Sequence, residues 1–231
     1  MKNLLPLLAL AAWVGLSPQV KAQKAASDQV AVYVSIPRPA GASDAVLDQE
    51  FAKAVPAYAK VPGLRRKYFT YDAGHFGGLY LFADRASATN QFSPAWHARV
   101  ERTYGSKAEV TYFTVPVVTA GASRQAPSGG NVAVIVRVKP PWYATQGLIR
   151  RGFAKAIPDY AGIPRLIYKY FTIGDDRTFG GIYLWEDQAS AAAYFGPAWH
   201  ARVKQRYGHD GEVIMLKAPV SLIKPNVTGS Q

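Results

Sequence analysis

The stretch FAKAVPAYAKVPGLRRKYFT at residues 51–70 returns as FAKAIPDYAGIPRLIYKYFT at residues 153–172, with 13 of 20 positions identical. A second pair of segments, residues 76–105 and 179–208, is identical at 19 of 30 positions. The offset between copies grows from 102 to 103 residues, so one residue has been inserted in the loop between the two segments. Copies of this length indicate duplication of a whole domain rather than a short solenoid repeat.

The hydrophobic pattern predicts the order βαββαβ in each copy, because apolar residues alternate at period two in the strands. In the first copy the predicted strands are Val30–Ile36, Leu64–Tyr71, a strand from Gly77 to Phe82, and Val110–Val115. In the second copy the first and last predicted strands are Val132–Val138 and Val213–Ala218.

Capping residues and prolines mark where the helices of the first copy begin and end. Equivalent residues carry the same signals in the second copy. Ser43 is a plausible N-cap of the first helix, and Pro56 is expected to kink or end that helix. Asp84 caps the second helix, and Gly105 ends it. Pro94 is expected to divide the second helix, at the first position of its second piece.

Both faces of the predicted strands are apolar. In the third strand, Leu79 and Leu81 point to one face, and Tyr80 and Phe82 point to the other. Helices cover only one face of such a sheet, so the other face needs a cover that the sister copy can supply. The sequence therefore predicts an α+β fold, in which two ferredoxin-like βαββαβ repeats are fused as a pseudo-dimeric, eight-stranded α+β barrel.

The sequence predicts five segments. They are a signal peptide at residues 1–22, a first repeat at 29–118, a linker at 119–130, a second repeat at 131–220 and a C-terminal tail at 221–231. The signal peptide is predicted from a basic start, a leucine-rich run and small residues before an expected cleavage after Ala22. It predicts a periplasmic or secreted protein. Elsewhere no apolar run approaches a membrane span of ~20 residues, so stable membrane insertion is not expected.

Composition excludes several classes of chemistry. The chain has no cysteine and four histidines, which excludes disulfides, thiolate metal sites and a cysteine nucleophile, and no metal site is predicted. The net charge is +12, but the basic residues are scattered and form no nucleic-acid-binding signature. The basic charge therefore predicts an anionic ligand or surface as the partner, rather than nucleic acid.

Three short motifs carry a resemblance to a known family. They are Pro62-Gly63-Leu64 followed by Lys67, then Gly77-Gly78-Leu79-Tyr80-Leu81-Phe82, then His97-Ala98-Arg99. The second copy has Pro164-Arg165-Leu166 with Lys169, Gly180-Gly181-Ile182-Tyr183-Leu184-Trp185, and His200-Ala201-Arg202. Each copy resembles the YdhR-type monooxygenases of the dimeric α+β barrel, antibiotic-biosynthesis-monooxygenase-like superfamily. Members of that superfamily oxidise aromatic polyketides without a cofactor, degrade haem, cyclise products or have no known activity.

The resemblance implies a cofactor-independent monooxygenase that acts on an aromatic or quinone-like substrate. The predicted catalytic residues are Arg99, Arg202, His97, His200, Tyr80 and Tyr183. In this hypothesis the arginines stabilise a phenolate or enolate, the tyrosines orient it and the histidines move protons. No cofactor is required, and haem held by His97 or His200 is the alternative.

The predicted ligand-binding residues are aromatic or basic, and each also has a structural interpretation. They are Trp96, Trp199, Phe82, Trp185, Lys67 and Lys169. The aromatic residues form either core or the wall of a pocket for a flat ligand. The lysines either close a pocket mouth or lie exposed. The alternatives to an enzyme are an exported module that binds a small aromatic or anionic ligand or haem, and a structural envelope protein.

Overall fold

The computed structural model describes residues 29–225, and the predicted signal peptide lies outside this range. The strands are β1 (Val30–Pro37), β2 (Leu64–Tyr71), β3 (His75–Phe82), β4 (Glu109–Ala120), β5 (Val132–Val138), β6 (Leu166–Gly174), β7 (Phe179–Trp185) and β8 (Glu212–Ile223). The helices are α1 (Asp44–Ala59), α2 (Arg85–Gln91), α3 (Pro94–Tyr104), α4 (Gln146–Ala161), α5 (Gln188–Tyr194) and α6 (Pro197–Tyr207). Each repeat is therefore βαββαβ with its second helix in two pieces.

The eight strands close into one antiparallel barrel in the order β1-β3-β2-β8-β5-β7-β6-β4, and β4 returns to β1. The order is unchanged when each strand is replaced by its equivalent in the other repeat, as a pseudo-twofold arrangement requires. The predicted α+β barrel is confirmed.

Two long strands join the repeats. The C-terminal part of β4 pairs with β6, and the C-terminal part of β8 pairs with β2. These strands were expected to end at Val115 and Ala218, but they continue to Ala120 and Ile223. Strand β4 thus enters the predicted linker, and β8 enters the predicted tail.

The strand ends were predicted too early because a proline follows each of them. Pro116 and Pro219 lie where the pairing registers of the two long strands shift. Proline has no N–H to donate, and within a sheet it is tolerated at such an irregularity. At these points each long strand passes from its own sheet to the sheet of the sister repeat.

The strands separate an inner core from two outer cores. Leu79 and Leu81 lie inside the barrel with residues of both repeats, such as Phe113 and Ile182. Tyr80 lies on the other face of β3, beneath the helices of its own repeat. The predicted two-faced burial of this strand is confirmed.

Most local signals act as predicted. The side chains of Ser43 and Asp84 accept hydrogen bonds from backbone N–H groups at the starts of α1 and α2, and Gly105 ends α3 in the left-handed conformation. Pro56 does not end α1, which continues to Ala59. A side chain at Gly180 would overlap the carbonyl oxygen of Val136, so this glycine permits close strand approach. Within residues 29–225, no helix is long and apolar enough to span a membrane.

Candidate functional site

The outer cores of the two repeats differ. In the first repeat the residues between the helices and the sheet form one continuous buried cluster. In the second repeat the equivalent residues divide into two clusters, one around Trp199 and one around Phe153. A cavity of about 620 Å³ lies between α4, α6 and the sheet, with residues of both clusters in its wall. This volume is within the usual range for small-molecule sites.

The wall of the cavity is mostly apolar and aromatic, with two basic side chains. The aromatic residues are Tyr143, Phe153, Tyr160, Phe171, Phe179, Tyr183, Trp199 and Tyr207. Lys169 lies on the sheet side, and Arg206 comes from α6. A wall of this composition fits a flat aromatic ligand that carries an acidic or anionic oxygen.

Lys169 is the most unusual group of the site. It is buried, and its Nζ donates a hydrogen bond to the hydroxyl oxygen of Tyr183 at 2.8 Å. The same nitrogen lies 3.2 Å from the ring centroid of Tyr160 and 4.1 Å from that of Phe171. Burial lowers the pKa of Lys169 well below its ordinary value, because no carboxylate compensates the loss of water.

Tyr183 is buried beside this amine. Burial, followed by the effect of the neighbouring Tyr160 phenol, raises the pKa of the Tyr183 hydroxyl well above its ordinary value. Tyr183 therefore keeps its proton at neutral pH. Its oxygen accepts from Lys169, and its own O–H can donate to an oxygen of a ligand.

Lys67 has almost the same environment in the first repeat, without the cavity. Its Nζ lies 3.1 Å from the ring centroid of Tyr58 and 3.8 Å from that of Phe69. Burial lowers the pKa of Lys67 well below its ordinary value as well. Residues 29–225 thus contain two equivalent buried lysines, of which only Lys169 lies in the wall of the cavity.

In the first repeat a cluster of charged groups surrounds the loop between β1 and α1. Arg38 donates to the Ala42 carbonyl oxygen at 2.7 Å, to the Asp72 carbonyl oxygen at 3.1 Å and to Asp44 at 2.7 Å. Lys217 from β8 also donates to Asp44, at 2.7 Å. These bonds fix the loop between β1 and α1 against the barrel.

The second repeat lacks this cluster. Proline and glutamine, at positions 140 and 146, replace the arginine and aspartate of the first repeat. Ile173 also replaces Tyr71, whose ring packs against Phe51 at 6.1 Å in the first repeat. Pro141, Tyr143 and Ala144 of the corresponding loop in the second repeat line the cavity.

The buried lysines predict a stability effect of known sign. We expect Lys67→Met to raise the free energy of unfolding at neutral pH by about 1–3 kcal/mol, because a buried polar group without a partner is replaced by an apolar one. The folded pKa is lowered, so the unfolded state binds more protons between that pKa and ~10.4. The free energy of unfolding of the wild type therefore rises with pH through this window. The difference in this free energy between the variant and the wild type shrinks by up to about 1.4 kcal/mol per pH unit. Urea unfolding across this pH range measures both effects. A gain that does not change with pH would contradict the assignment of an unpaired lysine.

The structure brings three of the predicted residues together. Lys169, Tyr183 and Trp199 all line the cavity. The prediction that the lysines close a pocket mouth or lie exposed is wrong, because Lys67 and Lys169 are 2% and 3% exposed. They share the outer strand face with Phe69 and Phe171, and helices cover that face.

The other predicted aromatic residues are core. Trp96 packs against Phe92 with a centroid distance of 4.9 Å. Tyr80 and Phe82 are buried in the same cluster. Trp185 is buried in the second repeat and does not line the cavity.

The predicted catalytic arginines and histidines do not line the cavity. Arg99 and Arg202 are exposed, and neither histidine is among the lining residues. The buried stripe of α3 consists of Trp96 and Val100. Neighbouring residues of a helix point about 100° apart, so Arg99, one position before Val100, faces solvent. The fold therefore does not bring the predicted arginines and histidines to the candidate site.

Haem does not fit the cavity through a histidine ligand. His200 Nδ1 lies 2.6 Å from an Asp210 carboxylate oxygen near the surface, and the cavity wall contains tyrosines rather than histidines. The high pKa of Tyr183 also makes its phenol a poor anionic ligand. Among residues 29–225, no three acidic or histidine side chains cluster in a way that could hold a metal ion.

Sequence reasoning missed several residues of the cavity wall. Tyr160 and Phe171 surround the amine, and Arg206 is the second basic group of the wall. A usable signal was present, since the segment Lys-Tyr-Phe-Thr occurs in both copies and places an aromatic ring two residues after the lysine. The divergence of the two copies in the loop before the first helix was a second signal.

Comparison with solved structures identifies the architecture. A candidate monooxygenase from Fusobacterium nucleatum superposes with a TM-score of 0.61 at 9% identity, over 86% of this chain and 95% of its own. A candidate monooxygenase from Lactobacillus acidophilus gives 0.53 at 10% identity, over 86% and 100%. An anthrone oxidase-like protein gives 0.57 at 11% identity, over 86% and 94%. The chain has the fold of the dimeric α+β barrel proteins.

At 9–11% identity this likeness shows the fold alone. The aligned part of the chain is long enough to include both repeats. No protein-family model matches the sequence, and no curated protein is significantly similar to it. Any assignment of activity therefore depends on the cavity of the second repeat.

Proposed function

We propose that the second repeat holds the active site of a cofactor-independent monooxygenase whose substrate is a flat aromatic compound with an acidic phenol or enol. The observation that carries this proposal is the Lys169 amine, which is buried, hydrogen-bonded to Tyr183 at 2.8 Å and part of the wall of an aromatic cavity. The rings of the wall supply stacking area, and the cavity volume suits a molecule of about three fused rings.

Lys169 acts as the general base in this proposal. Its lowered pKa keeps a larger fraction of the amine neutral, and a neutral amine can accept the proton of the substrate oxygen or of the acidic carbon next to a carbonyl. The ammonium ion formed is then paired with the substrate anion, which offsets the cost of a buried charge. Tyr183 donates its O–H to the anionic oxygen and stabilises the enolate.

The oxidation needs no reductant other than the substrate. An aromatic methylene ketone loses four electrons when its CH₂ group becomes C=O, and O₂ accepts these four electrons. One oxygen atom enters the new carbonyl, and the other leaves as water together with the two hydrogens of the methylene. The protein supplies the base, the orientation and a site that excludes bulk water.

The fold and the motifs support this choice of chemistry. Proteins of the same fold include candidate monooxygenases and an anthrone oxidase-like protein. The finer assignment to the YdhR-type monooxygenases rests on the three repeated motifs, which contribute Lys169 and Tyr183 to the proposed site.

Anthrone in ¹⁸O₂ provides a direct test. We expect the full chain to convert anthrone to anthraquinone faster than buffer alone, with one ¹⁸O atom in the product and consumption of one O₂ per anthrone. Mass spectrometry of the product and an oxygen electrode measure the two quantities. Heat-inactivated protein controls for the spontaneous oxidation of anthrone.

Other outcomes would reject the proposal. Stoichiometric binding of anthrone without oxygen consumption would assign the cavity to a ligand-binding module. Product oxygen that comes from water would assign the reaction to a different class.

A further inference from the structure

The two repeats also differ in a surface next to the cavity mouth. The loop between β5 and α4 contains Trp142 and Tyr143, where the first repeat has Ala40 and Gly41. Trp142 is 91% exposed and Tyr143 is 62% exposed. Their rings contact each other edge to face at 5.7 Å. Two adjacent exposed rings at the tip of one loop indicate a contact with another body.

The charge of the adjacent helix also differs between the repeats. Helix α1 carries three acidic residues and one lysine, whereas α4 carries Arg150, Arg151, Lys155 and one aspartate. The acidic residues Asp48 and Glu50 of α1 correspond to an arginine and a glycine in α4. The second repeat has therefore exchanged an acidic helix for a basic one beside its exposed aromatic loop.

Two basic residues and one exposed apolar residue of α4 lie on one flank. Leu148 is 49% exposed, and Arg151 and Lys155 follow it at three and seven positions, on the same side of a helix. Exposed tryptophan and tyrosine next to leucine and basic side chains match the composition of surfaces that lie in the interface of an anionic membrane.

The same surface adjoins the cavity. Tyr143 and Leu148 contribute to the cavity wall and are also largely exposed, so they form its rim. We propose that the loop at residues 139–145 and the Leu148 flank of α4 form a docking surface for an anionic lipid bilayer. The aromatic side chains enter the interface, and the basic side chains contact the lipid phosphates. Docking places the cavity mouth at the membrane, where apolar aromatic compounds accumulate.

Vesicle binding tests the docking surface without any substrate, so its outcome is independent of the proposed enzymatic function. The full chain is sedimented with vesicles of phosphatidylcholine alone and of phosphatidylcholine mixed with phosphatidylglycerol. We expect binding to the mixed vesicles, weakening at high salt, and little binding to phosphatidylcholine alone. The fluorescence of Trp142 should shift to shorter wavelength on the mixed vesicles.

Two double variants test whether the vesicles bind at this surface. We expect Trp142→Ala/Tyr143→Ala and Arg151→Glu/Lys155→Glu each to lower the partition coefficient at least about tenfold. The control Arg99→Glu/Arg102→Glu makes the same change of net charge on the exposed side of α3 and should lower it less than about threefold.

Three results would overturn the proposal. They are equal binding to both kinds of vesicle, no binding to either, and equal losses in the Arg151→Glu/Lys155→Glu variant and its α3 control. Self-association of the wild type that disappears in the Trp142→Ala/Tyr143→Ala variant, without vesicle binding, would assign the surface to a second copy of the chain.

Discussion

Each repeat, expressed alone after division of the chain behind Gln125, is expected to self-associate or aggregate rather than remain a soluble monomer. The inner strand face of one repeat, with Leu79, Leu81 and Phe113, is covered only by the other repeat. Separation exposes this apolar face and also removes the partner strands at both seams of the barrel. Light scattering after size-exclusion chromatography measures the mass of the species.

Co-expression distinguishes association from failure to fold. The two halves produced together should form a soluble one-to-one complex, because β4 and β8 cross to the sister repeat and carry its missing strand pairing. A soluble monomeric half with a cooperative unfolding transition would contradict the interdependence of the repeats.

The barrel was predictable from the sequence because duplication and strand alternation are properties of the chain itself. Leu79 and Tyr80 are neighbours that face different cores, and period-two alternation alone separates them. The extensions of β4 and β8 were not predictable in the same way. Their prolines look like strand ends, and only the register shift at the seam makes them compatible with a continuing strand.

The candidate site was less predictable, because it depends on which face each helix covers. Strand alternation places Lys67 and Lys169 beside aromatic residues, but burial of an unpaired lysine runs against the usual preference of that residue. The position of Arg99 on α3 suggested a site near the apolar stripe, and that stripe proved too narrow to include it. The cavity is lined in part by residues that differ between the copies, such as Tyr143 in place of Gly41, so the shared motifs alone do not predict it.

Substitution of Lys169 is expected to have the largest effect on activity. Lys169→Met removes the proposed base and should lower the rate of anthrone oxidation at saturating substrate by about 100-fold or more, within the usual range for general-base catalysis. We expect Lys169→Met to remain folded, because methionine places an apolar side chain at a buried position, although the hydrogen bond to Tyr183 is lost. Thermal unfolding of the variant checks that expectation.

A second substitution tests the cavity independently of the base. A Cβ atom added at Gly152 meets no atom within 4 Å, and Gly152 lies in the cavity wall. Gly152→Phe should therefore leave the fold intact and fill part of the cavity. We expect it to raise the KM for anthrone or to abolish turnover, whereas Glu50→Phe, at the equivalent position of the first repeat, should have little effect.

The rate of oxygen consumption with anthrone, compared between Lys169→Met and Lys67→Met, tests the central claim most directly. The two lysines are equivalent by duplication and equally buried, but only Lys169 lines the cavity. The proposed site predicts that Lys67→Met keeps the rate of the wild type within about twofold, while Lys169→Met loses about 100-fold or more. Equal rates in the two variants, whether both normal or both reduced, would contradict the assignment of catalysis to Lys169 in the second repeat.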